Sequence, residues 1–223
     1  MVSDIIDSLS SEDDVTKPLL KTLAFARRIG NDELAKWASN ELNGYSGGEP
    51  LPNYRYCKTS VLAVLGHGNN NITPESSLPM TCFDKEFQQM LMKKPFNESI
   101  AGLVALTKTS NQYIGKEFAV DMCRFLTDQA QKNGCRFSVR SCRQLVLISE
   151  IIGVITIIKT KLMELLLEVE KDYPSLNPLT ADDDTKQQIN TTVNQYLGNI
   201  YNINSSGDGN ILNTGDNNQM GIS

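Results

Sequence analysis

The chain contains one histidine, His67, so a Ser–His–Asp triad or a Cys–His pair would have to use it. A general base must be held in place, whereas the Gly-His-Gly sequence around His67 predicts an exposed and mobile turn. Cys57 precedes His67 by ten residues, across a predicted strand, so a thiol nucleophile paired with this imidazole is conceivable. We interpret His67 as a turn residue and keep the Cys57–His67 pair as an alternative.

The other residues that bind metals do not fall in recognised spacings. The sequence contains no CxxC, HxxxH or HExxH pattern, and it has no P-loop, GxGxxG or GxSxG motif. Two acidic runs, at residues 12–14 and 182–184, lie where helix caps and linkers usually place acids. We therefore expect no catalytic site, no metal and no cofactor, with a paired-carboxylate nuclease site as the sharper alternative.

Charge and cysteine content narrow the class of protein. A formal net charge of -5 argues against non-specific binding of nucleic acid, although a local basic patch remains compatible with it. The N-terminus lacks the basic and apolar regions of a secretory signal. The cysteines are odd in number and lack paired close spacings, which predicts reduced thiols in a cytoplasm: Cys57, Cys82, Cys123, Cys135 and Cys142.

Hydrophobic periodicity predicts an α+β protein that is mainly helical. Residues 2–9 and the two halves of residues 19–45 have helical patterns, as do residues 84–93, 97–108 and 117–131. Residues 54–65 are rich in Tyr, Val, Leu and Thr and predict a strand, and the alternation in residues 135–141 predicts a second one. Several helices and two strands indicate a helical domain with a small sheet.

A long helix is predicted over residues 144–172. Its apolar residues recur at alternating spacings of 3 and 4, which is typical of a helix that packs lengthwise on another. We interpret it as the central core helix, with a dimer seam as the alternative. Residues 145–158 are the best membrane candidate, but about 14 residues containing Glu150 fall short of the roughly 20 apolar residues that a spanning helix needs. We expect a buried helix there.

The clearest helical period starts at Leu34. The residues at i+3, i+4, i+7 and i+8 are Trp37, Ala38, Glu41 and Leu42, and the pattern stops before Gly44. The preceding helix is predicted to end at Gly30, because glycine readily adopts the left-handed conformation that closes a helix, and Asn31 can cap the next one.

This N-terminal run resembles the opening of the AbiTii domain, a bacterial family associated with abortive phage infection. The resemblance is carried by Arg27, Arg28, Gly30, Glu33, Leu34, Trp37, Glu41, Leu42, Asn43, Gly44 and Tyr45, followed by Tyr54 and Arg55. The long helix also resembles the closing helix of such domains. The resemblance implies one domain over residues 1–173 and a role in antiphage defence. The motif is not a catalytic signature, so we expect it to be structural or partner-binding.

The composition changes after a predicted linker at residues 174–186. Residues 187–223 contain no lysine or arginine and carry two similar units, which predict a short Asn/Gly-rich β-repeat tail that promotes oligomerisation. The alternative is a flexible polar tail. The candidate oligomerisation residues are Gly198, Asn199, Ile200, Asn202, Gly209, Asn210, Ile211 and Asn213.

Together these patterns predict a non-enzymatic sensor or adaptor in antiphage defence. We expect it to form a homo-oligomer, to cooperate with an effector protein encoded nearby and to respond to a phage component. A membrane partner is not expected, and a nucleic-acid partner is disfavoured by the charge. The alternative is a metal-dependent nuclease or a nucleic-acid-binding toxin component of the same kind of system.

Overall fold

The computed structural model describes residues 1–11, 14–46, 48–68, 71–174 and 176–202. The helices among them are α1 (Val2–Ser11), α2 (Thr16–Ile29), α3 (Asp32–Asn43), α4 (Lys85–Met92), α5 (Ile100–Thr107), α6 (Val120–Lys132), α7 (Ile148–Asp172) and α8 (Asp183–Asn202). The strands are β1 (Tyr56–His67), β2 (Asn71–Ile72), β3 (Ser76–Ser77), β4 (Lys93–Pro95), β5 (Tyr113–Glu117) and β6 (Ser138–Leu147). The predicted α+β class is confirmed.

The sheet is antiparallel and is built around β1 and β6. Its main order is β2-β1-β6-β5, and β3 and β4 also pair with β1. Buried and exposed side chains alternate along the first part of β1, as expected of a strand that covers a core with one face. The strand predicted at residues 54–65 is therefore confirmed, with a slightly later start.

The protein has two hydrophobic cores, and β1 contributes buried residues to both. The larger one, which we call the helical core, takes its buried residues mainly from α1, α2, α3, α5, α7 and α8. The smaller one, which we call the sheet core, lies between the sheet, α4 and α6. α7 contributes the longest buried stripe of the helical core, namely Ile151, Val154, Ile158, Leu162, Leu165, Leu166 and Val169. The interpretation of α7 as a central core helix is thus confirmed.

Within the described part of the chain, no helix combines the length and the apolarity that a membrane span requires.

The second predicted strand is wrong in its position. β6 covers residues 138–147 instead of 135–141, and α7 begins at Ile148 instead of near residue 144. Residues 145–147 are consecutive apolar residues, which suit either a buried strand or a buried helix. Pairing with both β1 and β5 fixes them as a strand. β5 itself was not predicted and occupies the residues just before α6.

The β-repeat prediction is wrong for the part of the tail that the structure describes. Gly198, Asn199 and Ile200 lie in α8, which ends at Asn202. The reason is a helical apolar stripe that packs into the helical core: Ile189, Val193, Leu197 and Ile200. The other candidate oligomerisation residues lie outside the described residues: Gly209, Asn210, Ile211 and Asn213.

The prediction of reduced thiols is wrong for two cysteines. Cys82 and Cys135 form a disulfide, with their Cα atoms 6.2 Å apart. The turn after β3 and the turn after α6 meet at this point. This contact could not be inferred from the sequence, because the two cysteines are 53 positions apart. The remaining cysteines, Cys57, Cys123 and Cys142, are buried free thiols, and the last two have their sulfur atoms 3.6 Å apart in the sheet core.

Adjacent isoleucines on α7 provide a matched test of its burial. Ile158 is 0% exposed and Ile157 is 39% exposed. We expect Ile158→Ala to lower the free energy of unfolding by about 2–5 kcal/mol, because it removes buried methyl groups and leaves a cavity. Ile157→Ala should cost about 1 kcal/mol or less. Urea denaturation of both variants measures the difference, and equal costs would contradict the assignment of Ile158 to the core.

Candidate functional site

The residues that carry the N-terminal motif begin at the turn between α2 and α3. Gly30 closes α2 in the left-handed conformation, with φ of 71°. Asn31 then caps α3, because its side-chain oxygen accepts a hydrogen bond of 2.7 Å from the backbone N–H of Leu34. Both predictions for this turn are confirmed. The turn fixes the direction in which α3 leaves α2.

At the other end of α3, Gly44 allows two backbone segments to approach closely. Its φ is 89°, and a Cβ atom at this position would lie 2.6 Å from the carbonyl oxygen of Asn97. That same carbonyl accepts a hydrogen bond of 2.8 Å from the Tyr45 N–H. Both the positive φ and the contact therefore require glycine. As a result, the chain just after α3 is held against the segment that precedes α5.

A buried ion pair between Glu41 and Arg55 lies at the centre of the motif. Both side chains are 0% exposed, and Arg55 Nη2 contacts Glu41 Oε2. Arg55 Nη1 donates to the backbone carbonyls of Phe96 and Glu98, at 3.3 and 2.7 Å. The guanidinium also lies over the Tyr45 ring, 5.1 Å from its centroid. This arginine therefore joins α3, the short turn just before β1 and the segment before α5.

The second carboxylate oxygen of Glu41 accepts hydrogen bonds from two phenols. Tyr45 and Tyr54 both donate to Oε1 at 2.7 Å, and Trp37 Nε1 donates to the Tyr54 hydroxyl at 3.0 Å. Burial raises the pKa of both tyrosines well above their usual value, and the neighbouring Glu41 charge raises it further. The phenols are thus kept protonated as donors. We call Trp37, Glu41, Tyr45, Tyr54 and Arg55 the Glu41–Arg55 network.

α8 closes over this network from the C-terminal side. Burial raises the pKa of Tyr201, the nearby Glu41 charge adds to the effect, and a hydrogen bond with the Tyr45 side chain opposes it. At the other end of the contact, Asn31 Nδ2 donates to the side-chain oxygens of Asn190 and Asn194, at 3.0 and 3.1 Å. α8 is therefore linked to the motif at the α2–α3 turn and beside Glu41.

The other motif residues lie outside this network. Arg27 is exposed and pairs with Asp32, with 3.0 Å between Nη1 and Oδ1, and exposed Arg28 contacts the Met1 sulfur. Both arginines occupy the last turn of α2, where their positive charges interact favourably with the helix dipole. Apart from Gly30 and Gly44, four motif residues remain. Glu33 and Asn43 are exposed, Leu42 is half-buried and Leu34 is fully buried.

The geometry limits what the Glu41–Arg55 network can do chemically. A general base needs a lone pair that can reach a substrate, and Glu41 has both oxygens engaged and no exposed surface. The Arg55 guanidinium likewise has no exposed surface, so it is closed to anionic ligands; its Nε has no hydrogen-bond partner among the described residues. The arrangement is suited to holding four segments together, namely α3, the turn before β1, the segment before α5 and the end of α8.

The structure does not bring the alternative catalytic residues together. Cys57 and His67 lie near opposite ends of β1, roughly 30 Å apart at about 3.3 Å per residue. Burial also raises the pKa of the Cys57 thiol to about 12, which disfavours a thiolate nucleophile. Among the described residues, no group of three or more His, Cys, Asp or Glu side chains could hold a metal ion. Asp182 caps α8 by accepting from the Thr185 N–H.

Sequence reasoning missed the partners that complete the site. The carbonyls of Phe96 and Glu98 carry no side-chain signal, because any residue supplies a carbonyl oxygen. Asn190 and Asn194 do carry one, since their spacing of four places them on one side of a helix, beside the apolar stripe of α8. That spacing was overlooked because the Asn-rich composition was interpreted as a β repeat.

The raised tyrosine pKa values predict a loss of stability at alkaline pH. Unfolded tyrosine ionises at about pH 10, whereas the buried phenols of Tyr45 and Tyr54 stay protonated when folded. Their contribution is therefore fully present below pH 10 and falls above it, by up to about 1.4 kcal/mol per pH unit for each. Urea denaturation at several pH values between 10 and 11 gives the free energy of unfolding as a function of pH. This free energy should fall less steeply with pH in Tyr45→Phe than in the unmodified chain, by up to about 1.4 kcal/mol per pH unit. An equally steep fall in both proteins would contradict a protonated Tyr45 donor.

Comparison with known proteins identifies the family. No curated protein and no solved structure matches this sequence. The family model described as AbiTii matches residues 1–195 of the 223-residue chain, a range that contains the whole Glu41–Arg55 network and most of α8. The match confirms the resemblance carried by the N-terminal motif, and the family name indicates antiphage defence by abortive infection. The chain belongs to the AbiTii family.

Proposed function

We propose that this chain is a non-enzymatic sensor or adaptor of abortive infection. The observation that carries the proposal is the closed Glu41–Arg55 network, in which both charged side chains are fully buried and bonded to the side chains and backbone carbonyls around them. A catalytic role for this pair would require its carboxylate or its guanidinium to be open to a substrate. The position of these groups supports a motif that holds a scaffold, with the response to infection made through other surfaces.

The contacts of α8 support communication between the motif and the C-terminal segment. Asn31 and Tyr45 belong to the motif region, and they hydrogen-bond side chains in the middle and near the C-terminal end of α8. Residues 203–223 follow α8 directly in the sequence. A ligand or partner that moves α3 would therefore also shift α8, from which those residues continue.

We propose self-association as the output of this response. Since α8 packs on its own chain, the proposed element is residues 203–223, which hold one Gly-Asn-Ile unit and no lysine or arginine. β5 provides a strand edge on the described surface, because it pairs with β6 alone among the described strands. An open strand edge can accept a strand from another copy. An effector encoded nearby, a phage component as trigger and a cytoplasmic location complete the proposal.

A truncation tests the proposal in the cell and in solution. The full chain, expressed with its neighbouring genes in a susceptible bacterium, should lower phage yield, and light scattering should give a mass above that of one chain. A chain ending at Asn202 should be monomeric and unprotective, because it keeps the described fold but lacks the proposed element. As a control for substitution at the surface, the full chain carrying Lys85→Gln on α4, an exposed residue away from β5, should oligomerise and protect.

Protection by a monomeric truncation, or a full chain that is itself monomeric, would contradict the self-associating output. Cleavage of RNA or DNA by the purified chain with Mg²⁺ or Mn²⁺, abolished by replacing one Asp or Glu, would contradict the non-enzymatic role and support the nuclease alternative.

A further inference from the structure

A surface cavity of about 650 Å³ lies where β1 ends and β6 begins, and none of its lining residues belongs to the Glu41–Arg55 network. A cavity of this size accommodates a small molecule. We call it the His67 pocket, and none of its lining residues carries a carboxylate: Gly66, His67, Gly68, Gln131, Gly134, Cys135, Arg136, Phe137 and Ser138. Its wall therefore contains hydrogen-bond donors and a cationic side chain without an acidic one.

A β-bulge places a second arginine, Arg140, next to Gly66 of the pocket wall. The register of β1 and β6 passes from Val64 opposite Ser141 to Leu65 opposite Val139, which leaves Arg140 without a partner residue. Bulges redirect side chains and occur often beside functional sites. Here the Arg140 side chain lies across Gly66, where a Cβ atom would be 2.6 Å from the Arg140 Nε. The glycine at position 66 is therefore what lets this guanidinium lie against the pocket wall.

Both arginines lack a counter-ion in the described part of the chain. Arg136 and Arg140 are exposed and form no ion pair there, whereas Arg27, Arg55 and Arg143 each pair with an acid. The whole chain has 26 acidic residues against 21 lysines and arginines. Two unpaired guanidinium groups beside a wall without carboxylates are thus a local positive site on an acidic protein.

The pocket wall that carries Arg136 is held by covalent and backbone constraints. Cys135 is bonded to Cys82, and Gly134 turns the chain after α6 with φ of 82°. The Asn133 side chain also donates to the Cys82 carbonyl at 2.9 Å. A site whose frame is already fixed loses less conformational entropy when it binds a ligand.

We propose that the His67 pocket binds a small phosphate-bearing molecule. Planar guanidinium groups donate paired hydrogen bonds to phosphate oxygens, and the His67 ring supplies a further N–H donor. A small ligand fits better than a nucleic acid, because a polyanion would extend from this local site onto a protein of net charge -5. The site gives the proposed sensor a ligand, but it does not depend on self-association, since either can be lost without the other.

Calorimetric titration of the full chain with inorganic phosphate, and separately with AMP, tests the proposal at constant ionic strength. We expect saturable binding that Arg136→Gln and Arg140→Gln each weaken by about tenfold or more. Thermal unfolding should be unchanged, since both side chains are exposed and unpaired. The matched control is Arg124→Gln, an exposed residue of α6 outside the pocket lining, which should bind like the unmodified chain.

The two probes distinguish the source of the phosphate. Equal affinity for phosphate and AMP would support recognition of the phosphate group alone, and tighter binding of AMP would support a nucleotide. Three results would overturn the proposal: no saturable binding of either probe, affinities that survive both pocket substitutions, or binding of single-stranded RNA that is tighter than that of AMP and insensitive to them.

Discussion

The buried ion pair between Glu41 and Arg55 is the interaction on which the arrangement of the helical core depends. Removing two charges from water costs several kcal/mol, so such a pair persists only where further hydrogen bonds satisfy both groups. Here two phenols complete the carboxylate and two backbone carbonyls complete the guanidinium. Tyr54 directly precedes Arg55, whereas Tyr45 follows α3 and both carbonyls belong to the segment before α5. Satisfying the charges therefore fixes the relative positions of α3, β1 and the segment before α5.

This constraint gives the family motif a physical meaning. Its residues are spread from the end of α2 to the residues just before β1, yet Glu41 and Arg55 meet at a single buried point. The contacts of Asn31 and Tyr45 extend the same arrangement to α8. We propose that the motif builds the frame and that defence against phage is exerted through other parts of the chain, such as the C-terminal segment and the His67 pocket.

The parts of the fold that could be predicted are those with a local physical cause. Gly30, Asn31 and Gly44 mark helix ends through their own backbone and capping chemistry, and α7 follows from its apolar spacing. The start of α7 could not be predicted, because pairing with β1 and β5 decides it. The Cys82–Cys135 disulfide and the bonds from Arg55 to backbone carbonyls depend on long-range contacts, which periodicity does not encode. α8 was mispredicted because composition was given more weight than spacing.

A double-mutant cycle on Glu41→Gln and Arg55→Met tests the central claim most directly, by comparing free energies of unfolding for the unmodified chain, both single variants and the double variant. Each single substitution leaves a buried polar or charged group without its partner, so we expect costs of about 3–5 kcal/mol and a coupling energy above about 2 kcal/mol. A single variant that is already unfolded without denaturant would show a cost at least as large as the total stability. The same cycle on the exposed Arg27–Asp32 pair should give at most about 1 kcal/mol. A Glu41–Arg55 coupling as small as that of the exposed pair would contradict the account.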